Sequence, residues 1–329
     1  MKNHRESDLL SSRRSVIYNW ADRQNDPILG RRPDYSRCSE AHMFIQGVKL
    51  MIMPFPGHSK EPFDVSLSPS NEKAAKLMHY ALDSRSSRRD LASAVCKFIR
   101  ECVGTILYCG RSLYELVYFT DPAVEKVVAF ELSNIPPPAV VRTRRGVYEY
   151  VPLDVARQFK VPERIILDPD RVVEFKPPNG FRHELPRIMK DLASISSLIV
   201  PDFMLTIPPD PLSRSPFDVQ AHFSMRELAV AATTRKTGWS ARGVFSKQML
   251  EYYSLHLFLR SQEFKIELRN PVLDTLNEVL RRAGRVIGFD AQIVVSGLPT
   301  LEDVRTAQAN LAAGSTPFSE IVEPFLYNS

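Results

Sequence analysis

The chain has 329 residues, 44% hydrophobic and 25% charged, with 43 Lys and Arg against 38 Asp and Glu for a formal net charge of +5. This is the composition of a globular protein with enough apolar residues for one large domain or two. No run approaches the ~20 apolar residues of a membrane span, and the polar start Met1–Asp8 has no signal-peptide core behind it, so the chain is expected to stay in the cytosol of the cell that makes it.

Residues 1–40 are polar, with Asp26-Pro27 and Arg32-Pro33 steps; a short helix is predicted near Ser15–Arg23, followed by an arm with little core of its own. His42–Met53 alternates and reads as a strand, stopped by Pro54-Phe-Pro-Gly57, with a polar loop after it. Asn71–Ser84 is predicted helical, with Ala74, Leu77, Met78 and Leu82 on one side. Asp90–Leu107 is a stronger helix: Leu91, Val95, Phe98, Cys102 and Ile106 form its stripe and Gly110 ends it. The period then changes. Leu113–Phe119 and Lys126–Leu132 read as a hairpin around Asp121-Pro122, and Ala139–Thr143 with Val147–Val151 as another around Arg144-Arg-Gly146. Leu153–Phe159 reads as a short helix, and Arg171–Phe175 as a strand after the Asp168-Pro-Asp170 turn.

From there the chain is mostly helical. Glu184–Val200 and Phe217–Thr234 flank a proline-rich segment, Pro201–Pro216. A basic, glycine-broken loop follows, Arg235–Lys247, and then a long amphipathic stretch to Gly284. Leu250, Tyr253, Leu257, Phe264, Leu268, Leu276 and Leu280 give that stretch its apolar stripe; Ser246 can cap its start and Gly284 its end. Pro271 lies inside it, and proline removes a backbone donor and clashes with the carbonyl four residues back, so a kink or restart is expected there. Gly288–Ser296 reads as a late strand, Thr300–Ala313 as a helix with Leu301 and Val304 inward and Gly314 as its stop, and Ser319–Leu326 as a last turn or two.

Chemistry-bearing motifs are sparse. Cys38, Cys96, Cys102 and Cys109 form no C-x-x-C pair, which argues against a zinc site or a disulfide framework. His183-Glu184 lacks the second histidine of H-E-x-x-H, and neither a phosphate-binding glycine loop nor a G-x-S-x-G elbow is present. Asp170 with Glu174-Phe-Lys176 resembles the PD-(D/E)xK metal nucleases, but both carboxylates fall on or beside one strand, whereas that fold draws its aspartate from a neighbouring strand. The cations of the basic loop, Arg235, Lys236, Arg242 and Lys247, can track phosphates without reading bases, and Trp239 can meet bases or anchor the loop against a neighbouring subunit. Arg226 on the preceding helix reads as an inter-subunit salt-bridge partner.

The order of pieces from about Asp90 onward resembles the tailed-bacteriophage portal (head–tail connector) proteins. Cys109–Tyr118 is similar to the step where a helix ends in glycine and a G-x-x-x-x-E strand begins the portal wing. Lys126–Ile135 with Pro136–Pro138 and Val140 resembles the next wing strand, Asp170–Phe175 the strand that closes the wing, and Gly297–Thr300 through Asn310–Glu320 the C-terminal ending. The resemblance implies an α+β fold: a wing of helices and short antiparallel strands, a helical stem and a long kinked helix. It divides the chain into an N-terminal arm and outer wing (1–89), an α+β wing (90–181), stem helices (182–234) with a short clip at 201–216, a tunnel loop (235–247), the long kinked helix (248–283) and a C-terminal strand and helix (284–329).

It further implies a homo-oligomeric, dodecameric ring at one capsid vertex of the virion, assembled in the host cytoplasm, through which double-stranded DNA is packaged and ejected. The implied partners are the major capsid protein, terminase and tail adaptor proteins, without membrane, cofactor, metal or catalysis of its own. Arg235, Lys236, Trp239, Arg242 and Lys247 would then face the DNA channel, with Pro271 at the helix kink. The chain departs from the family in its short clip, its nearly absent helical crown and its loosely matching first ninety residues. A basic nucleic-acid-binding scaffold that is not a portal, and the metal nuclease, are the alternative readings.

Overall fold

Apolar residues recur at helical spacing along Glu251–Ile287, and they do so on two sides. In the computed structural model, which describes residues 39–54, 63–82, 90–121, 126–153, 156–157, 160, 162–197, 219–239 and 251–326, this segment is one 37-residue helix, about 55 Å long at 1.5 Å per residue. One side carries Phe264, Leu268, Val272, Leu276, Val279, Leu280 and Ala283 into the main core, and another carries Leu255, Leu259 and Ile266 into a second, smaller core. The fold is α+β, with short antiparallel sheets grouped around helices.

In chain order the elements are α1 (Ser39–Met51), β1 (Asp64–Ser68), α2 (Glu72–Leu82), α3 (Leu91–Cys109), β2 (Ser112–Asp121), β3 (Lys126–Ile135), β4 (Val140–Thr143), β5 (Gly146–Tyr150), β6 (Arg164–Leu167) and β7 (Val172–Phe175). The remainder are α4 (Glu184–Ser197), α5 (Val219–Thr234), the long helix α6 (Glu251–Ile287), β8 (Gln292–Ser296), α7 (Leu301–Ala313) and α8 (Phe318–Leu326).

The main core is built from α1, α3, α4 and the middle of α6. The Asp90 side chain caps α3 by accepting from the Ser93 N–H at 2.7 Å, and Gly110 ends it in the left-handed conformation, its N–H bonded to the Ile106 carbonyl. These are the N-cap and C′ roles for which Asp and Gly are suited. From Gly110 the chain enters β2, which pairs with β3 in a hairpin of two ten-residue strands and with β7 on its other edge. A second sheet, β4-β5-β6, packs its inner side chains Val140 and Leu167 against Leu113 and Ile135 of the first. The third sheet pairs β1 with β8 from the two ends of the described chain. Asn277 of α6 fixes this ribbon: its amide bonds both backbone groups of Ile293, at 2.7 and 3.1 Å.

Several expectations are corrected. Residues 42–53 do not form a strand; they lie in helix α1 and its exit. Phe44, Ile45, Val48 and Ile52 are spaced at one, four and seven or eight and are all buried, so packing against α3 and α4 selects the helical period over the local alternation. The polar loop expected after it contains β1, whose Val65 and Leu67 point inward while Asp64, Ser66 and Ser68 point out. Strand β6 was not foreseen. Helix α6 runs without a break through Pro271, so no restart occurs there, and it continues past Gly284 to Ile287. The left-handed stop is Gly288 (φ 87°), whose N–H reaches the Gly284 carbonyl at 2.7 Å. Tyr253, assigned to the buried stripe, is 57% exposed. The expected helix at Ser15–Arg23, the arm, the clip at 201–216, Leu250 and the cap Ser246 lie outside the described residues.

Gly284 has a different role from the one expected: a Cβ there would overlap the Phe289 carbonyl where the chain folds back from α6. Gly284→Ala is therefore expected to destabilise the protein by about 1–3 kcal/mol, the usual cost of forcing extra volume into a packed site. Gly180→Ala, whose added methyl meets nothing within 4 Å, should change stability little. Denaturant unfolding of both variants checks the difference.

Candidate functional site

The region singled out by its charge begins where α5 ends. At the end of that helix the single hydroxyl proton of Thr234 is shared between two carbonyls within reach, Val230 at 2.8 Å and Trp239 at 2.9 Å, and the Thr237 hydroxyl donates back to the Thr234 carbonyl at 2.7 Å. Both threonines are fully buried. Residues Arg235–Thr237 make a single 3₁₀ turn, and Gly238 leaves it at φ 65°. Gly238 is needed twice over. Its conformation is left-handed, and a Cβ would overlap the Leu257 carbonyl of α6, against which the turn is pressed.

Trp239 is the anchor of this turn and is only 7% exposed. Its ring meets Phe44 edge to face, with centroids 5.3 Å apart, and its indole nitrogen lies so close to Gly47 that any side chain at 47 would displace it. Phe44 in turn stacks on Phe264 of α6, which meets Phe181 at 4.8 Å. The expectation that Trp239 faces DNA or a neighbouring subunit is corrected: it is a core residue of its own chain, locking α1 to the α5–α6 connection. Its signal in the sequence was a lone tryptophan in a basic loop, and the glycine that makes room for it lies far away at position 47.

Two of the four cations of the loop, Arg235 and Lys236, are among the described residues. Lys236 is exposed but pairs with Glu184 at the start of α4, 3.0 Å away. Arg235 is exposed at the mouth of a groove between α5 and α6. Arg242 and Lys247 lie outside the described residues. Arg226 makes its ion pair within the chain, to the buried Glu40 of α1, in place of the inter-subunit pair expected for it.

The groove beside Arg235 has a volume of about 400 Å³ and is walled by Leu228, Ala231 and Ala232 of α5 and by Tyr253, His256, Leu257 and Arg260 of α6. Its lining is mainly apolar, and Leu228 is 70% exposed.

The string that resembles a nuclease is arranged as an ion cluster. Both oxygens of Glu174 are engaged, Oε1 by Arg111 at 3.4 Å and Oε2 by Arg142 at 3.0 Å and Lys176 at 3.3 Å. Burial raises the pKa of Glu174, but the attractions of Arg142, Lys176 and Arg111 together outweigh it and hold the carboxyl below its ordinary value. Arg142 belongs to β4 and Arg111 precedes β2, so the cluster bolts the two larger sheets together. Among the described residues no three His, Cys, Asp or Glu side chains converge on a point where a metal ion could sit. No described helix is long and apolar enough to cross a membrane.

No protein-family model matches the chain, and no curated protein matches it. Among solved structures the chain is similar to a chain of the virion of a native gene transfer agent particle, with 15% identity and a TM-score of 0.45 over 95% of this chain and 98% of that one. It is also similar to a chain in the neck of the native gene transfer agent particle computed with C12 symmetry, with 13% identity and a TM-score of 0.45 over 94% and 98%.

The burial of Trp239 sets an energetic contrast within the loop. Trp239→Ala is expected to cost about 3–5 kcal/mol of stability, as for other buried aromatic truncations. Lys236→Ala, which removes one largely exposed ion-pair partner, should cost less than about 1 kcal/mol. Equilibrium denaturation distinguishes the two; a neutral Trp239→Ala would contradict the anchor assignment.

Proposed function

We propose that this chain is the subunit of a portal ring, a non-enzymatic channel at one capsid vertex through which double-stranded DNA is packaged and ejected. The observation that carries the reading is helix α6. It holds two separate cores on two of its sides and, among the described residues, leaves an apolar groove open along a third. A soluble monomer has little reason to expose such a groove, whereas a subunit in an assembly covers it. The order of elements supports the same reading. A helix ended by glycine, a long hairpin, a closing strand, two helices, a buried turn, one long helix and a final strand and helix follow one another as the resemblance to portal proteins implies.

In this reading the turn at Arg235–Trp239 is a fixed post. The residues after it carry Arg242 and Lys247 toward the channel, where a protein that passes any sequence must contact phosphate and not bases. The portal would hold the DNA path, and the packaging motor would supply ATP hydrolysis. The capsid protein, terminase and tail adaptors would bind the outer faces of the ring.

Arg242→Ala combined with Lys247→Ala tests the channel. Ring assembly should be unchanged, while DNA packaging or retention falls several-fold, equally for unrelated DNA sequences and more steeply as salt rises. Unchanged packaging with failed assembly would make these residues interface elements and remove them from the channel. DNA binding by a chain that never assembles would favour a nucleic-acid-binding scaffold.

A further inference from the structure

The first half of α6 carries opposite charge on two opposite flanks. On one flank lies the groove, with Arg235, His256 and Arg260 around an apolar floor. The outward side of α5 extends that floor: Met225 is 71% exposed, Leu228 70%, and Ala231 and Ala232 continue the same stripe at helical spacing. Among the described residues neither Arg235 nor Arg260 has a carboxylate partner. On the other flank, α8 seats Ile321 and Phe325 on Leu255, Phe258 and Leu259. Its outer side shows Ser319, Glu320, Glu323 and Pro324 to solvent, with Phe318 and Val322 half-buried beside them. At 100° per residue, the positions of α6 that face the groove and those that face α8 are about 160° apart around its axis.

From this arrangement we infer that the α5–α6 groove receives the acidic outer face of α8 from a second copy of this chain. This rests on the ring reading above and assigns one of its interfaces. Two features commit the groove to this occupant. The groove is cationic and apolar, and α8 offers two carboxylates at a spacing of three, flanked by apolar side chains, so charge and surface are complementary. A symmetric pairing of groove with groove would oppose Arg235 and Arg260 to their own copies, which disfavours a two-fold dimer. With donor and acceptor surfaces on opposite flanks of one rigid helix, each subunit offers α8 forward and its groove backward. Such head-to-tail contacts close into a ring when the rotation per subunit permits. Arg235 thereby becomes an interface residue, with a role separate from that of Arg242 and Lys247.

The test is site-directed crosslinking of the full-length chain, with Cys38 and Cys109 replaced by serine. Leu228→Cys and Glu323→Cys placed in the same chain should, on mild oxidation, give a ladder of covalent multimers. Mixed single variants should give only dimers, and Leu228→Cys alone should give none. A charge swap supplies the second readout. Glu320→Lys with Glu323→Lys should raise the concentration needed for assembly at least tenfold, and adding Arg235→Glu with Arg260→Glu should restore it. All four positions are at least partly exposed, so unchanged circular dichroism is expected to accompany both sets. Rings that form normally with no crosslink and no charge effect would overturn this interface and leave the ring reading standing. Dimers from Leu228→Cys alone would overturn the head-to-tail geometry. Intramolecular crosslinks from position 228 to residues 240–250 would show that the chain covers its own groove and overturn the inference. Loss of DNA passage with intact assembly in Arg235→Glu/Arg260→Glu would do so by making the groove a DNA surface. Failure of the unmodified chain to assemble under any condition would overturn the ring reading itself.

Discussion

A helix of 37 residues cannot be stabilised along its length by one core, and the arrangement of this molecule follows from how that difficulty is met. Isolated helices gain little from propensity alone; their stability in proteins comes from burying a face. Helix α6 buries different faces at different heights. Toward its C-terminal half, Val272, Leu276, Val279 and Ala283 sit in the main core with α3 and the β1–β8 ribbon, which Asn277 ties down through backbone-like bonds. Toward its N-terminal half, Leu255, Leu259 and Ile266 hold α7 and α8. Between the two, Lys265 and Arg269 lie with their stems covered. Burial pushes the Lys265 amine down to about 8, and Arg269 reaches the Pro299 carbonyl at 3.1 Å. Helix α6 thus joins two cores that would otherwise have little to hold them together.

The start of α6 is set by a second constraint, the buried turn at Arg235–Trp239. Gly238 allows the turn to press on the α6 backbone, and Gly47 admits the indole into α1, so one short connection fixes three helices relative to one another. The Thr237 hydroxyl donates to the Thr234 carbonyl, one of the last carbonyls of α5, which have no partner within the helix. The basic loop therefore begins from a buried, closely packed turn. Such a base is what a segment needs if it is to hold charged side chains at a defined distance from passing DNA.

Where local chemistry dictated structure, the sequence was legible. Asp90 and Gly110 mark both ends of α3, and Thr300, Asp303 and Gly314 mark α7, because caps act within a single turn. Hairpins β2–β3 and β4–β5 were legible for the same reason. Elements decided by distant partners were not. The stretch around Phe44 satisfies a strand pattern and a helix pattern at once, and only docking on α3 and α4 selects the helix. Strand β1 has just two inward residues, Val65 and Leu67, and its partner β8 comes from the far end of the chain. Glycines 284 and 288 both resemble stops. Which one ends α6 depends on the backbone of Phe289 folding over the first. Of the candidate site, the charge of the loop was legible, but the pocket for Trp239, the Lys236–Glu184 pair and the groove beside Arg235 are all made by contacts across the fold.

The central claim is that the uncovered flank of α6 exists because a second copy covers it, head to tail, in a closed ring with a central channel. Imaging of the purified full-length protein by electron microscopy tests this most directly. The account predicts annular particles with one central hole and cyclic symmetry. A population of monomers or two-fold dimers alone, at every concentration and salt tested and with capsid protein co-expressed, would contradict it.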